Sequence, residues 1–149
     1  DISVRKSIQQ FGIESLCDLV EYMPHAEAIA QQQSAQMLLL LVNNSGNAKS
    51  ILTGKFFEYL AAQRPIVAIG PTDGEMNRIL QDSQAGACAD FEDEERLVEI
   101  LSKQYEQYLI QHPLTIQSSN IEKYSRKALT QKMADVFLIA IKEHEKQKN

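Results

Sequence analysis

Hydrophobic positions change period from one segment of the chain to the next. Val4, Ile8 and Phe11 fall at i, i+4 and i+7, one face of a helix that Gly12 stops. Leu19-Val20-Glu21-Tyr22-Met23 predicts a short strand ended by Pro24. Residues 25–35 predict a helix with Ala26, Ile29 and Ala30 inward, and Gln31-Gln32-Gln33 is its solvated face. Met37–Val42 is unbroken apolar sequence without alternation, which predicts a strand covered on both faces, as central parallel strands are. A polar stretch, 43–50, leads through Ile51-Leu52 and Thr53 into a helix over Gly54–Ala62 with Phe57, Leu60 and Ala61 buried. Pro65–Ile69 predicts a second apolar strand and Gly70–Gly74 its loop; Met76, Ile79 and Leu80 mark the next helix. Gly86–Ala89 predicts a third strand of small residues.

From Asp90 a long helix is expected, opening on acidic residues as the helix dipole prefers and running through Leu97, Ile100, Leu101, Tyr105 and Tyr108 to a stop at His112-Pro113. Ser125 is placed to cap a last amphipathic helix bearing Leu129, Met133, Val136, Phe137 and Ala140, against which Tyr105 and Tyr108 are expected to pack. The charged tail, 142–149, is expected to fray. Strand and helix alternate with short connections, which predicts an α/β domain with a Rossmann-like parallel sheet flanked by helices. Neither a repeat nor a linker divides 1–149, so a single domain is expected. Met37–Val42 and Pro65–Ile69 should be adjacent and parallel, with Gly54–Ala62 crossing between them right-handedly.

Charge and composition narrow the function. The net charge of −5 argues against nucleic-acid binding, which wants a basic face. Cys17 and Cys88, far apart and without a partner pattern, read as free thiols of a reducing, cytoplasmic compartment; Cys88 reads as a small core residue. The scattered histidines 25, 112 and 144 suggest no metal site. No secretory signal opens the chain, and no apolar run approaches the ~20 residues of a membrane span.

In open parallel sheets ligands bind beyond the carboxyl ends of the strands, here the loops Asn43–Thr53 and Gly70–Gly74. Thr53-Gly54-Lys55 begins a helix, where free N–H groups and a partial positive charge favour an anion and Gly54 lets it approach the backbone. Lys49 and Lys55 add charge. Two readings stand: a diphosphate cradle, or an N-cap threonine with solvated lysines. Glu58 shares the helix face of Gly54 and Lys55. It is placed either to accept two hydrogen bonds from a ribose diol or to pair with Lys55. Asp73-Gly74-Glu75 reads as a turn and helix start, and His25 either caps its helix or touches a base.

The run Lys49-Ser50-Ile51-Leu52-Thr53-Gly54-Lys55-Phe56-Phe57-Glu58-Tyr59-Leu60-Ala61-Ala62-Gln63-Arg64-Pro65-Ile66 resembles the donor-binding half of family 4 retaining glycosyltransferases, enzymes of the two-domain glycosyltransferase B architecture. The likeness extends through Tyr22–Glu27 before it and Gly86–Asp93 after it. It implies that Glu58 binds the donor ribose, that the backbone of Thr53, Gly54 and Lys55 faces the diphosphate with Lys49 nearby, and that Met23 and His25 border the nucleobase. Ser50, near the transferred sugar, stands where such enzymes commonly carry a second glutamate.

The expected function is thus a glycosyltransferase donor domain that binds a nucleotide-diphosphate sugar for transfer to an acceptor the sequence does not name. No cofactor and no metal is implied. The resemblance also implies that the first strands of the sheet and the acceptor domain lie upstream of Asp1. The chain would then be a partial domain, inactive alone, with open sheet edges that favour self-association. Any attachment to the inner face of the membrane would fall to that N-terminal domain. The alternatives are a non-catalytic α/β module binding a partner through Asn43–Thr53, and an unrelated Rossmann-type nucleotide-binding domain. The latter is disfavoured by the lack of a Gly-x-Gly-x-x-Gly turn.

Overall fold

The computed structural model describes residues 2–116 and 120–147, with side chains as far as 144. Helices α1 (Ile2–Gln10) and α2 (His25–Ser34) precede strand β1 (Leu38–Leu41). Helix α3 (Gly54–Ala62), β2 (Ile66–Ile69), α4 (Glu75–Ser83), β3 (Gly86–Ala89), α5 (Glu94–Ile110) and α6 (Arg126–Gln147) follow in order. The strands form one open parallel sheet in the order β1-β2-β3, with Leu38 opposite Ile66 and Ile66 opposite Gly86. The fold is α/β with a Rossmann-like parallel sheet, and the first two strands of the sheet are the adjacent parallel pair that the apolar runs predict.

Each face of the sheet carries its own core. On one, Leu40, Ile66 and Ala68 pack with Phe56 and Leu60 of α3 and with Met76, Ile79 and Leu80 of α4. On the other, Val67 and Ala89 pack with Ile100 of α5. Side chains alternate along a strand, and parallel partners share a face, so Leu39 lies on the side of Val67. Helix α5 packs on β2 and β3. Leu39 and Leu41 are therefore left 55% and 65% exposed. This corrects the expectation that Met37–Val42 is covered on both faces: the face holding Leu38 and Leu40 is, and on the other only Met37 packs, partly buried, against the Val67 core.

Further expectations change. Leu19–Met23 has no regular secondary structure and is not a strand, because no neighbouring strand among the described residues offers it a ladder. Helix α5 begins at Glu94 rather than Asp90; Asp93 is its N-cap, its carboxylate accepting from the Arg96 N–H at 3.0 Å. Ser125 does cap α6, accepting from the Ala128 N–H at 3.2 Å, and the helix extends to Gln147. Its apolar residues do not form a buried stripe: Met133, Val136, Phe137, Leu138, Ile139 and Ile141 are all more than half exposed. Tyr105 is likewise exposed, and the Tyr108 ring lies 5.5 Å from that of His112. Helix α2 has no buried residue; of its predicted inward positions only Ile29 is half-buried. No described helix is long and apolar enough to cross a membrane.

Candidate functional site at the carboxyl edge of the sheet

Beyond the carboxyl ends of the strands lie three loops. The first, after β1, ends in the short helical turn Ala48–Ser50 and then Thr53, the N-cap of α3. Thr53 is extended, and its hydroxyl accepts from the Phe56 N–H at 3.3 Å. A side chain is needed there because the first N–H groups of a helix have no partner within it. Gly54 follows at the first helical position. A Cβ built on it would meet nothing within 4 Å, so the space beside Gly54 at the helix start is open. A small cavity of about 80 Å³ adjoins it, walled by Val42, Asn43, Ile51 and Thr53 over Phe56 and Met76.

Lys55 is exposed and makes no ion pair among the described residues. Glu58, one turn further along α3, is half-buried and has neither a hydrogen bond nor an ion pair among the described residues, so the pairing with Lys55 is not formed. Its charge is felt by Tyr59: burial pushes that phenol above its ordinary pKa, and the Glu58 carboxylate adds to the effect.

Lys49 is turned elsewhere. Its Nζ lies 2.6 Å from Oδ2 of Asp73, in the loop after β2, and both side chains are about two-thirds exposed. Each shifts the other, through the hydrogen bond first: the Lys49 pKa rises, and that of Asp73 falls below the ordinary carboxylate value. Asp90, after β3, adds a smaller pull on Lys49. It also helps to raise the buried Cys88 thiol to about 11, an effect due mainly to burial. The two loops fit closely as backbone, since a Cβ on Gly74 would stand 3.1 Å from the Lys49 carbonyl oxygen. Gly74 is the N-cap of α4, as the turn reading of Asp73-Gly74-Glu75 predicts, and it offers no side-chain cap.

Ser50 is exposed beside Lys49, and its N–H donates to the Asn47 carbonyl at 3.0 Å. Helix α2 packs on α3; His25 is exposed at its first position and Met23, just before it, is half-buried, and neither makes a side-chain hydrogen bond to residues 49–58 among the described residues. The N-cap of α2 is Pro24, and no side chain caps it, so His25 does not serve as the cap.

The structure thus gathers Thr53, Gly54, Lys55 and Glu58 on one helix start and gives Lys49 a partner that sequence reasoning missed. Asp73 is 24 positions from Lys49, and the pair exists only once β1 and β2 lie side by side. A second hollow, between Asn44 and Asp90–Asp93, continues the same edge toward β3. Among the described residues no group of His, Cys, Asp and Glu is placed to hold a metal ion. Comparison with protein-family models, with curated proteins and with solved structures found no match to this chain.

Proposed function

We propose that the chain is the donor-binding unit of a glycosyltransferase that uses a nucleotide-diphosphate sugar, and that by itself it binds donor without transferring the sugar. The observation that carries this reading is the start of α3. A capped helix N-terminus opens on free space at Gly54, with half-buried Glu58 one turn below and without a hydrogen bond or ion pair among the described residues. The N–H groups and dipole of the helix favour the diphosphate, and Lys55 supplies a full positive charge. Glu58, an acceptor with two oxygens, suits the two hydroxyls of a ribose. Met23 and His25 are assigned to the base side and Ser50 to the sugar side. Departure of the diphosphate leaves an oxocarbenium-like sugar, and the same N–H groups with Lys55 would stabilise the leaving oxygens.

The test is titration of the chain with uridine diphosphate and guanosine diphosphate, followed by amide chemical shifts and calorimetry. One of the two should shift the amides of residues 53–55. Each hydrogen bond to a charged group contributes about 1.5–3 kcal/mol. Glu58→Ala should therefore weaken binding by roughly 10- to 150-fold, at about 1.4 kcal/mol per tenfold. Glu58→Gln, which keeps one acceptor, should weaken it less. Equal affinity in Glu58→Ala and the parent would return Glu58 to the status of a surface carboxylate.

A further inference from the structure

We infer that two copies of this chain join through β1, strand to strand and antiparallel, so that two three-stranded sheets run on as one. The inference is independent of the donor-site reading above.

The backbone of β1 is only half used. Strand β2 lies on one side of it, and no described strand lies on the other. The Leu38 N–H donates to the Pro65 carbonyl and the Val42 N–H to the Ile69 carbonyl, both at 2.9 Å. Bonded residues alternate along a ladder, so Leu38, Leu40 and Val42 face β2, and the N–H and C=O groups of Leu39 and Leu41 point to the open side. The same two residues carry the side chains that no helix covers. The far edge of the sheet differs. On β3, Cys88 and Ala89 are buried, and the charged Asp90 follows directly. Strand β1 is thus the edge that offers free backbone and exposed apolar side chains together.

Edges that stay single are blunted by a lysine, a proline or a bulge. Strand β1 has none of these. Neither a charged residue nor a proline stands between Glu27 and Lys49, and Leu38–Leu41 pair with β2 residue for residue. A second copy suits this edge because the strand is its own complement. Its four leucines read alike in both directions, and its uncharged flanks bring no like charges together. Surface for such a contact is present, since the chain exposes 11194 Å² where a compact protein of its mass exposes about 7,700 Å². Antiparallel pairing is the more stable per residue. With Leu40 opposite Leu40 of the second copy, each Leu39 lies opposite a Leu41. Those two pairs satisfy the free N–H and C=O groups of both edges, and their leucines meet on the uncovered face and shield one another.

The experiment compares the parent with the Leu39→Lys, Leu41→Lys double variant, by sedimentation velocity and amide exchange, dilute and at high micromolar concentration. In the parent, concentration should slow exchange of the Leu39 and Leu41 amides by at least about tenfold, while the Leu40 amide, bonded to β2, is protected at both concentrations. A half isotope-labelled sample should show an Hα–Hα contact between Leu38 of one copy and Val42 of the other, a close pair in this register. The lysine variant, changed only at exposed positions, should unfold in urea as the parent does when dilute, yet associate at least about tenfold more weakly. A folded lysine variant that associates as the parent does would overturn the inference. So would association that leaves the Leu39 and Leu41 amides as fast as in the dilute chain, which would move the contact to another surface such as α6. A parent that stays monomeric overturns it outright. If the lysine variant fails to fold, the parent's amide exchange and its Leu38–Val42 contact decide alone.

Discussion

Gly54 starts α3 and Gly86 starts β3, and one added methyl group separates their roles. At Gly86 a Cβ would lie 1.9 Å from the carbonyl oxygen of Ile66, inside the β2–β3 ladder where neither backbone can yield. Gly86→Ala should cost about 3 kcal/mol or more, read from urea unfolding. At Gly54 the methyl meets nothing, and alanine is the better helix former, so Gly54→Ala should keep or raise stability by about 0.5 kcal/mol. It should nonetheless weaken diphosphate binding, because the methyl fills the space the anion needs. A Gly54→Ala chain that binds as the parent does would mean that the open space serves no ligand. At this scale the sequence shows the helix start well, since Thr-Gly-Lys before an apolar run has a local cause. It cannot show that Glu58 has no hydrogen bond or ion pair among the described residues, or that Lys49 has one. Both depend on what the folded loops bring near.

The predicted elements that hold are those whose apolar pattern is completed by a neighbour. The runs at Met37–Val42, Pro65–Ile69 and Gly86–Ala89 became strands because they pair with one another, and α3 and α4 cover their common face. Leu19–Met23 has the right residues, but strand formation is a property of pairs. The even apolar run of β1 does not reveal that α5 stops short of it. Arg64, inside the motif that resembles a donor-binding segment, works between elements. Its Nε donates to the Gln33 carbonyl at 2.7 Å and its Nη1 to the Leu114 carbonyl at 2.6 Å, tying the end of α3 to the end of α2 and to the segment after α5. Arg64→Ala leaves the Leu114 carbonyl, part-buried, without its donor, and should cost about 1–3 kcal/mol in urea unfolding. Arg64→Lys, with one donor centre in place of a fork, should cost less. Nucleotide affinity of the folded protein should stay unchanged in both, which separates this arginine from the site residues.

As a whole the chain exposes 11194 Å². A compact protein of 16.8 kDa exposes about 7,700 Å², so the surplus is about 3,500 Å². That is several times the ~800 Å² each partner contributes to a standard interface. Much of it is apolar: Leu39 and Leu41 on the uncovered face of β1, and Val136 to Ile139 around a full turn of α6. A helix apolar on all sides is stable when surrounded. A second copy of the chain is the partner always present, so the protein is expected to self-associate at micromolar concentration, as sedimentation velocity would show. Phe137→Glu and Leu39→Glu, both at exposed positions, should reduce association without unfolding. A monomer throughout the high micromolar range would sink the idea.

The same exposed surface governs how the fold responds to temperature. Unfolding raises the heat capacity in proportion to the apolar area newly wetted, about 12–15 cal/mol/K per residue in ordinary domains. Here a large part of that area is wet already in the native monomer. Its heat-capacity increment is expected to lie below the ordinary value for its length, which flattens the curve of stability against temperature; scanning calorimetry reads it directly. Cooling and moderate warming change its stability little, and association, by hiding the surface, restores the steeper curve.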